Sequence, residues 1–237
     1  MDHGKCFGVS VGPGDKELIT LEAISVIQSA DVIFLPSFPK EDCKAYQIIK
    51  RIYPDIDSKR LCPETFTMSR DASVMTRRHE EILDNAKTYL DEGLDVAFLT
   101  LGEVALYSTY LYIHELLIKQ GYTSVLVSGI SSVQAAAAKL GIALAIGADE
   151  LHILPGVDNI EAKLAYDGTK VFMKTRKCLD EAINTIQKYV LETPGAWAMG
   201  VSNCGMEDER VARCASELTN LEGYFTILIV GVQKSTT

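Results

Sequence analysis

The sequence is short of three features, and each shortage excludes a class of protein. Its six cysteines include no C-x-x-C pair, which argues against a zinc ribbon or a disulfide framework and favours free, buried thiols. No apolar stretch approaches the roughly 20 residues of a membrane-spanning helix, and the first residues show no signal-peptide pattern. Positive charge is scarce, since 23 Lys and Arg stand against 32 Asp and Glu, which disfavours a nucleic-acid partner. We therefore expect a cytosolic protein that binds neither nucleic acid nor membrane.

Short apolar runs alternate with helical periodicity along the 237 residues, which predicts a largely parallel α/β fold. The first such unit is a strand over residues 6–11 followed by a helix that carries Leu18, Leu21, Ile24 and Ile27 on one face. The pattern restarts after the polar connection KQGYTS. We therefore predict two α/β domains, residues 1–119 and 120–237, with an approximate boundary between them.

A glycine-rich turn, Gly12-Pro13-Gly14, connects the first predicted strand and helix. Phosphate-binding turns aim consecutive backbone N–H groups at the anion, but Pro13 has no N–H and Asp15 adds negative charge. The P-loop lysine and the third glycine of the dinucleotide motif are also absent. These residues exclude a nucleotide-binding loop. Two interpretations remain: a bend that a ligand approaches, or only a tight turn with Asp15 as helix N-cap.

Two later stretches repeat the order of strand, glycine and helix. A predicted strand delivers Gly102 and Glu103 to the carboxyl edge of the sheet, where open α/β sheets bind ligands. Gly129 follows the next predicted strand and precedes two serines. Residues 107–109 offer hydroxyl groups at a helix start, where capping is the simpler role. Three such turns predict a bulky ligand held largely by main chain.

Three stretches of the chain resemble successive motifs of the tetrapyrrole (corrin/porphyrin) methylase family: VGPGDKELITLEAISVIQSADVIF, TLGEVALYSTY and VSGISSVQAAAA. Within that family, ETFTMSRD, the helix with RRHEE and VAFLTLGEVALYSTYLYI are most similar to methylases acting at C20 of precorrin-2 or cobalt-precorrin-2. The resemblance implies two α/β domains with S-adenosylmethionine (SAM) in the cleft between them, a homodimer, and methylation of a tetrapyrrole in cobalamin synthesis. It covers nearly the whole chain.

The resemblance also implies roles for individual residues. Asp15 and Tyr107 lie towards the tetrapyrrole and, with Glu103, are the candidate catalytic residues. Asp15 or Glu103 is the candidate base for the C20 proton, although helix capping and SAM binding explain these carboxylates equally well. The family pattern has Asp-Pro where this chain has Glu103-Val104, and Pro-Gly where it has Ser128-Gly129. The implied SAM contacts are Pro13, Leu101, Gly102, Glu103, Leu106, Ser131, Ser132, Met173, Cys204, Thr226 and Ile227.

Methyl transfer from a sulfonium requires in-line approach to about 3 Å and exclusion of water, without a covalent nucleophile. The four histidines show no metal-ligand spacing, so we expect no protein-bound metal. The many carboxylates of the macrocycle require local cations. Rival readings are a methylase of another ring position or of diphthine, and a non-catalytic tetrapyrrole-binding module; whether the ring carries cobalt stays open. The candidate cations are Lys16, Arg70, Arg77, Arg78, Lys174 and Arg176.

Overall fold

A computed structural model describes residues 3–66, 71–156, 158–175 and 178–233. The chain divides into two compact units, Met1–Ser131 and Ser132–Thr237. Each unit contains one five-stranded sheet with helices, which confirms the predicted α/β class.

The sheet of the first unit is parallel throughout. Its strands are β1 (Cys6–Ser10), β2 (Val32–Leu35), β3 (Arg60–Pro63), β4 (Val96–Thr100) and β5 (Ser124–Val127). They are arranged in the order β3-β2-β4-β1-β5. Since β4, β1 and β5 are neighbours and run the same way, their carboxyl ends lie side by side. The helices are α1 (Leu21–Ser29), α2 (Lys44–Lys50), α3 (Ala72–Leu90) and α4 (Tyr110–Lys119).

Of its predicted apolar face, helix α1 buries Ile27 but exposes Leu21. Thr20 is its N-cap and accepts a hydrogen bond from the Ala23 backbone N–H at 3.2 Å, so the helix begins at Leu21. As a result Leu21 is 86% exposed, and Ala23 and Ile27 form the buried face against the sheet. The other side of the sheet packs on α3 and α4.

The second sheet is mixed. Its strands are β6 (Leu151–Pro155), β7 (Thr169–Met173), β8 (Ala196–Ser202), β9 (Arg210–Ala212) and β10 (Thr226–Val232), in the order β6-β7-β10-β8-β9. The β6–β7 pair is parallel, whereas the β7–β10, β10–β8 and β8–β9 pairs are antiparallel. The expectation of a largely parallel fold therefore fits only the first unit. The helices here are α5 (Ser132–Leu140), α6 (Ile160–Leu164) and α7 (Leu179–Glu192).

The division of the chain falls later than the boundary predicted after residue 119. Strand β5 pairs with β1, with Val127 opposite Val9, so residues 124–127 belong to the first sheet. A pattern of strands and helices along the chain does not say which sheet a strand joins, and here β5 completes the sheet before it.

None of the six cysteines, all of which lie in the described residues, forms a disulfide bond. Cys6, Cys43 and Cys204 are buried, whereas Cys214 is exposed and the other two are partly buried. Burial raises the pKa of Cys6 to about 12, so this thiol stays protonated. In the part of the chain that the structure describes, no helix is both long and apolar enough to cross a membrane.

Candidate functional site

The first bend follows β1 and contains Gly12 in a left-handed conformation, with φ of 75°. The Gly12 carbonyl accepts a hydrogen bond from the Gly102 N–H at 2.8 Å. A Cβ at position 12 would lie 2.9 Å from the Leu18 carbonyl oxygen, so conformation and space both require glycine. Asp15 accepts a hydrogen bond from the Glu17 N–H at 3.0 Å and caps the short 3-10 helix Lys16–Leu18, which confirms the N-cap reading.

The second bend follows β4, and its polar groups reach the other two bends. The Val104 N–H donates to the buried Ser10 hydroxyl at 2.9 Å. The two carboxylate oxygens of Glu103 accept from the Ala105 N–H at 2.9 Å and from the Gly129 N–H at 2.6 Å. A proline at position 104, as in the family pattern, could not make the bond to Ser10 because it lacks an N–H.

The third bend follows β5 and packs closely on the first two. A Cβ at Gly129 would lie 2.4 Å from Ser10 Cβ and 3.1 Å from the Gly102 carbonyl oxygen, so the main chain approaches as near as glycine permits. The Ser128 carbonyl accepts a hydrogen bond from the Thr20 hydroxyl at 3.2 Å. The third bend is thereby tied to the start of α1.

Together these contacts connect the three bends. The first and second are linked through the backbone of Gly12 and Gly102, and the second and third through Glu103. The third packs on Ser10, directly before the first bend, and Thr20 ties it to α1. We call residues 11–15, 101–104 and 128–130 the three-bend edge. The expectation that the three glycine turns come together is confirmed within the first unit.

The loop after the second bend contains Tyr107, which is 40% exposed and has φ of 56°. A bulky residue in this conformation costs free energy, and such residues concentrate at functional sites. The Ser108 hydroxyl accepts a hydrogen bond from the Tyr110 N–H at 3.1 Å, whereas Thr109, the N-cap of α4, makes no side-chain capping bond. Leu101 and Leu106 are half-buried in the same loop.

The predicted contacts of the second unit also share one sheet edge. Met173 ends β7, and Thr226, which starts β10, pairs with Ser202 at the end of β8. The Thr226 and Ser202 hydroxyls lie 2.8 Å apart and both side chains are fully buried. Thr226 and its neighbour Ile227 are buried at the start of β10, and Cys204 is buried just beyond β8.

Two residues at this edge adopt the left-handed conformation although they are not glycine. Lys174 directly follows β7 with φ of 60°, and Asn203 directly follows β8 with φ of 51°. Asn203 donates to Asp208 at 2.8 Å, and Glu209 accepts from the Gly205 N–H at 2.7 Å. We call residues 173–174, 202–205 and 222–227 the second-unit edge.

The two predicted serine contacts fall on either side of the division of the chain. Ser131 is buried at the end of the first unit, and Ser132 is the first residue of α5. A cavity of about 440 Å³ lies beside the start of α7, lined by Cys178, Leu179, Asp180, Glu181, Leu221, Glu222 and Gly223. The predicted SAM contacts are not among these lining residues.

One of the candidate cations is already engaged. Arg78 donates to the Glu64 carboxylate at 2.5 Å and to the Thr65 carbonyl at 2.9 Å, so it fixes the segment before α3 rather than facing a ligand. Arg77 is exposed with Glu81 at 3.4 Å, and Lys16 is exposed. Arg70, Arg176 and residues 67–70 of ETFTMSRD lie outside the described residues.

The histidines that the structure describes have local structural contacts. His79 is 8% exposed and stacks on Tyr112 with ring centroids 4.7 Å apart, and burial lowers its pKa. His114 shares a hydrogen bond of 2.8 Å with the Ser124 hydroxyl. Among the described residues, no group of three or more His, Cys, Asp or Glu side chains is placed to hold a metal ion.

Three polar residues of these edges were missed from the sequence: Ser10, Thr20 and Ser202. Thr20 stands directly before a helix, where threonine is a preferred N-cap, so this signal was available. Ser10 and Ser202 are the polar last residues of largely apolar strands, and both are fully buried. A single polar residue at such a position indicates a buried hydrogen bond.

Comparison with known proteins agrees with this architecture. The sequence profile of the family Tetrapyrrole (Corrin/Porphyrin) Methylases matches residues 5–218. A probable cobalt-precorrin-2 C(20)-methyltransferase of Methanocaldococcus jannaschii is 33% identical over 97% of this chain and 96% of its own length. A precorrin-2 C(20)-methyltransferase of a Sinorhizobium species is 24% identical over 96% of this chain and 95% of its own length. The structure of a Thermus thermophilus uroporphyrin-III C-methyl transferase, complexed with S-adenyl homocysteine, has a TM-score of 0.66 at 17% identity and covers 96% of this chain and 92% of that one. The chain therefore belongs to the tetrapyrrole (corrin/porphyrin) methylase family.

Proposed function

We propose that this protein transfers the methyl group of SAM to C20 of precorrin-2 or cobalt-precorrin-2 in cobalamin biosynthesis. The observation that carries the proposal is the three-bend edge, where main chain from three loops is joined at the carboxyl end of a parallel sheet. The M. jannaschii and Sinorhizobium relatives, named for this reaction and matched over nearly their full length, support the substrate.

The three-bend edge suits the amino-acid part of SAM. Gly102 is buried, but among the described residues other than its two chain neighbours no heavy atom lies within 4 Å of the position that a Cβ would take there, which leaves space beside the backbone for a ligand. We assign this part of the cofactor to Leu101, Gly102 and Leu106, with Pro13 beside it. The homocysteine compound in the Thermus thermophilus neighbour supports the choice of cofactor.

At the second-unit edge we assign the adenine to Met173, Cys204 and the main chain of residues 226–227. The support is that β7, β8 and β10 bring these residues to one end of the second sheet, with the Thr226 hydroxyl already committed to Ser202. Ser131 and Ser132 complete the assigned contacts.

SAM, when bound, supplies an electrophilic methyl group that the meso carbon attacks in line. The protein's task is to orient the ring, exclude water and accept the C20 proton afterwards. We assign the proton to Asp15, because one of its oxygens caps the 3-10 helix and a carboxylate has a second oxygen to offer. We assign to Tyr107 the role of orienting the tetrapyrrole ring. Any cobalt enters with the substrate.

A product assay tests this function. The purified protein is incubated with SAM labelled with ¹³C in its methyl group and with either precorrin-2 or its cobalt complex, and the new methyl is located by NMR. We expect a single new methyl at C20, and the preferred substrate identifies the form of the ring. A methyl on another carbon would establish a different ring specificity.

Calorimetric titration with SAM tests the rival from another class. We expect a dissociation constant in the micromolar range. If wild-type protein does not bind SAM, the hypothesis of a non-catalytic tetrapyrrole-binding module replaces the hypothesis of an enzyme.

We also propose that the protein is a cytosolic homodimer. The six free thiols support a reducing compartment, because oxidising compartments favour disulfides. Light scattering on the eluting protein measures the mass, and a monomer at micromolar concentration would contradict the dimer.

A further inference from the structure

Glu103 connects two loops that are distant in the sequence. One carboxylate oxygen accepts from the Ala105 N–H in its own loop, and the other accepts from the Gly129 N–H, 26 positions along the chain. We propose that Glu103 is a positioning residue that holds the third bend against the second, and that it is not the proton acceptor. Its consequence for SAM rests on the function proposed above.

The hydrogen bonds of Glu103 argue against a role as base. Both oxygens already accept a backbone N–H, at 2.9 Å and 2.6 Å. A hydrogen bond to a carboxylate is among the stronger kinds, so these two bonds fix the orientation of the side chain. A base needs an oxygen that faces the proton of the substrate, and here both face the main chain.

The length of the side chain matters for the same reason. Aspartate is one methylene shorter, about 1.5 Å in a C–C bond. From the same backbone an aspartate can still accept the N–H two residues ahead, as in an Asx turn. It cannot also reach Gly129, so the glutamate of this chain supplies a link that the family's aspartate is too short to make in this arrangement.

The position of the third bend leaves little freedom. Gly129 lies where even a methyl group would clash with Ser10, and it is half-buried. A loop packed this closely moves when its polar anchor is lost, and a displacement of about 1 Å in a binding loop weakens function by up to about 100-fold. Glu103 therefore acts on SAM through Gly129, without needing to touch the sulfonium.

Two substitutions separate positioning from proton transfer. Glu103→Gln keeps the length and one acceptor oxygen, whereas Glu103→Asp keeps the charge and loses the reach. Positioning predicts that Glu103→Asp raises the dissociation constant of SAM about tenfold and that Glu103→Gln raises it less. A base predicts the reverse order in kcat, with Glu103→Gln nearly inactive and the acidic limb of its pH–rate profile abolished.

Hydrogen exchange of the Gly129 amide tests the link without SAM or substrate. We expect exchange in Glu103→Asp to be at least tenfold faster than in wild type, with the melting temperature changed by only a few degrees. Glu92→Asp and Glu92→Gln, at an exposed glutamate before β4 and therefore at the opposite end of the same sheet, are the matched controls and should leave exchange and binding unchanged. If Glu103→Asp were to fold poorly, the exchange rate in the isosteric Glu103→Gln would be compared instead.

The outcomes are distinct. Unchanged exchange at Gly129 in Glu103→Asp overturns the inference, as does a kcat that follows the order expected of a base. If wild type fails to bind SAM, the proposed function fails, while the exchange measurement still decides whether Glu103 holds the bend.

Discussion

At the three-bend edge the left-handed residues, Gly12 and Gly102, are glycines, whereas at the second-unit edge Lys174 and Asn203 adopt this conformation alongside Gly205 and Gly223. Both edges hold a glycine N–H with a glutamate, Glu103 in the first unit and Glu209 in the second. The same acceptor thus fixes strand-end loops in a parallel and in a mixed sheet. The glycines make the first edge open to close backbone approach, and the side chains give the second edge chemistry of its own.

The largest expected effect comes from filling the glycine edge. In Gly129→Ala the new methyl would meet Ser10 and the Gly102 carbonyl, at 2.4 Å and 3.1 Å before relaxation, so the bend must move. We expect SAM affinity to fall and the rate of methyl transfer to fall by up to about 100-fold, the loss in rate that a misplacement of about 1 Å can cause. Titration calorimetry measures the affinity, and a steady-state assay measures the rate.

Gly121→Ala is the control for that substitution. Gly121 lies before β5, at the opposite end of the sheet, and has φ of 85° with no described heavy atom within 4 Å of a built Cβ. It should cost about 1 kcal/mol of stability through backbone strain and leave SAM binding intact. Equal losses in the two variants would show that the three-bend edge has no special demand for glycine.

We expect the second-unit edge to be destabilised when one of its buried hydroxyl groups is removed. Ser202→Ala removes one partner of the Thr226 hydroxyl, which also lies within hydrogen-bond distance of the Glu222 and Gly223 carbonyls. It also leaves the Glu222 N–H, which donates to Ser202 at 3.1 Å, without its acceptor. An orphaned buried group costs about 1–3 kcal/mol, so we expect the free energy of unfolding to fall by that amount. Urea denaturation measures it. A neutral result would mean that this edge is not held by the hydroxyl pair, and that the contrast with the first edge is weaker.

The pH dependence of stability should be dominated at mildly acidic pH by the first unit, where His79 is buried. Burial lowers the pKa of His79 below its ordinary value near 6.5, so the unfolded chain binds this proton more readily. The stabilising contribution is present above pH ~6.5 and is lost as pH falls through the lowered value. We expect His79→Phe, which can keep the stacking on Tyr112, to lose less melting temperature between pH 7 and pH 5 than wild type.

The smallest effect sharpens the contrast between glycine and side-chain turns. Lys174→Gly relieves a left-handed lysine and should raise the free energy of unfolding by about 1 kcal/mol. If the ammonium group serves the carboxylates of the macrocycle, KM for the tetrapyrrole should rise several-fold in the same variant. Asn159→Gly, at another left-handed position, is the control for stability alone. A stabilised variant with unchanged KM would remove Lys174 from the substrate site.

Much of the fold could be predicted from periodicity, and the exceptions have physical causes. Strand β3 ends in a proline on an exposed sheet edge and β9 has three residues, so both depend on their neighbours for stability and give little local signal. The sequence also gives no indication of strand direction in the second sheet, because apolar runs look alike in parallel and antiparallel pairs.

For the site, the glycine bends were visible because backbone geometry restricts the residues that can occupy them. The Glu103–Gly129 bond was not, since it depends on β4 and β5 lying on either side of β1, which no local pattern specifies. The same holds for Arg78, whose engagement with Glu64 is settled only by the packing of the segment before α3.

The bond between the Val104 N–H and the Ser10 hydroxyl couples two positions 94 residues apart. If position 104 became proline, the buried Ser10 hydroxyl would lose this hydrogen-bond donor. If Ser10 were lost instead, the buried N–H of residue 104 would have no acceptor. Either single step is disfavoured, so lineages should exchange both residues nearly together. Among relatives, we expect the residues at positions 10 and 104 to change together.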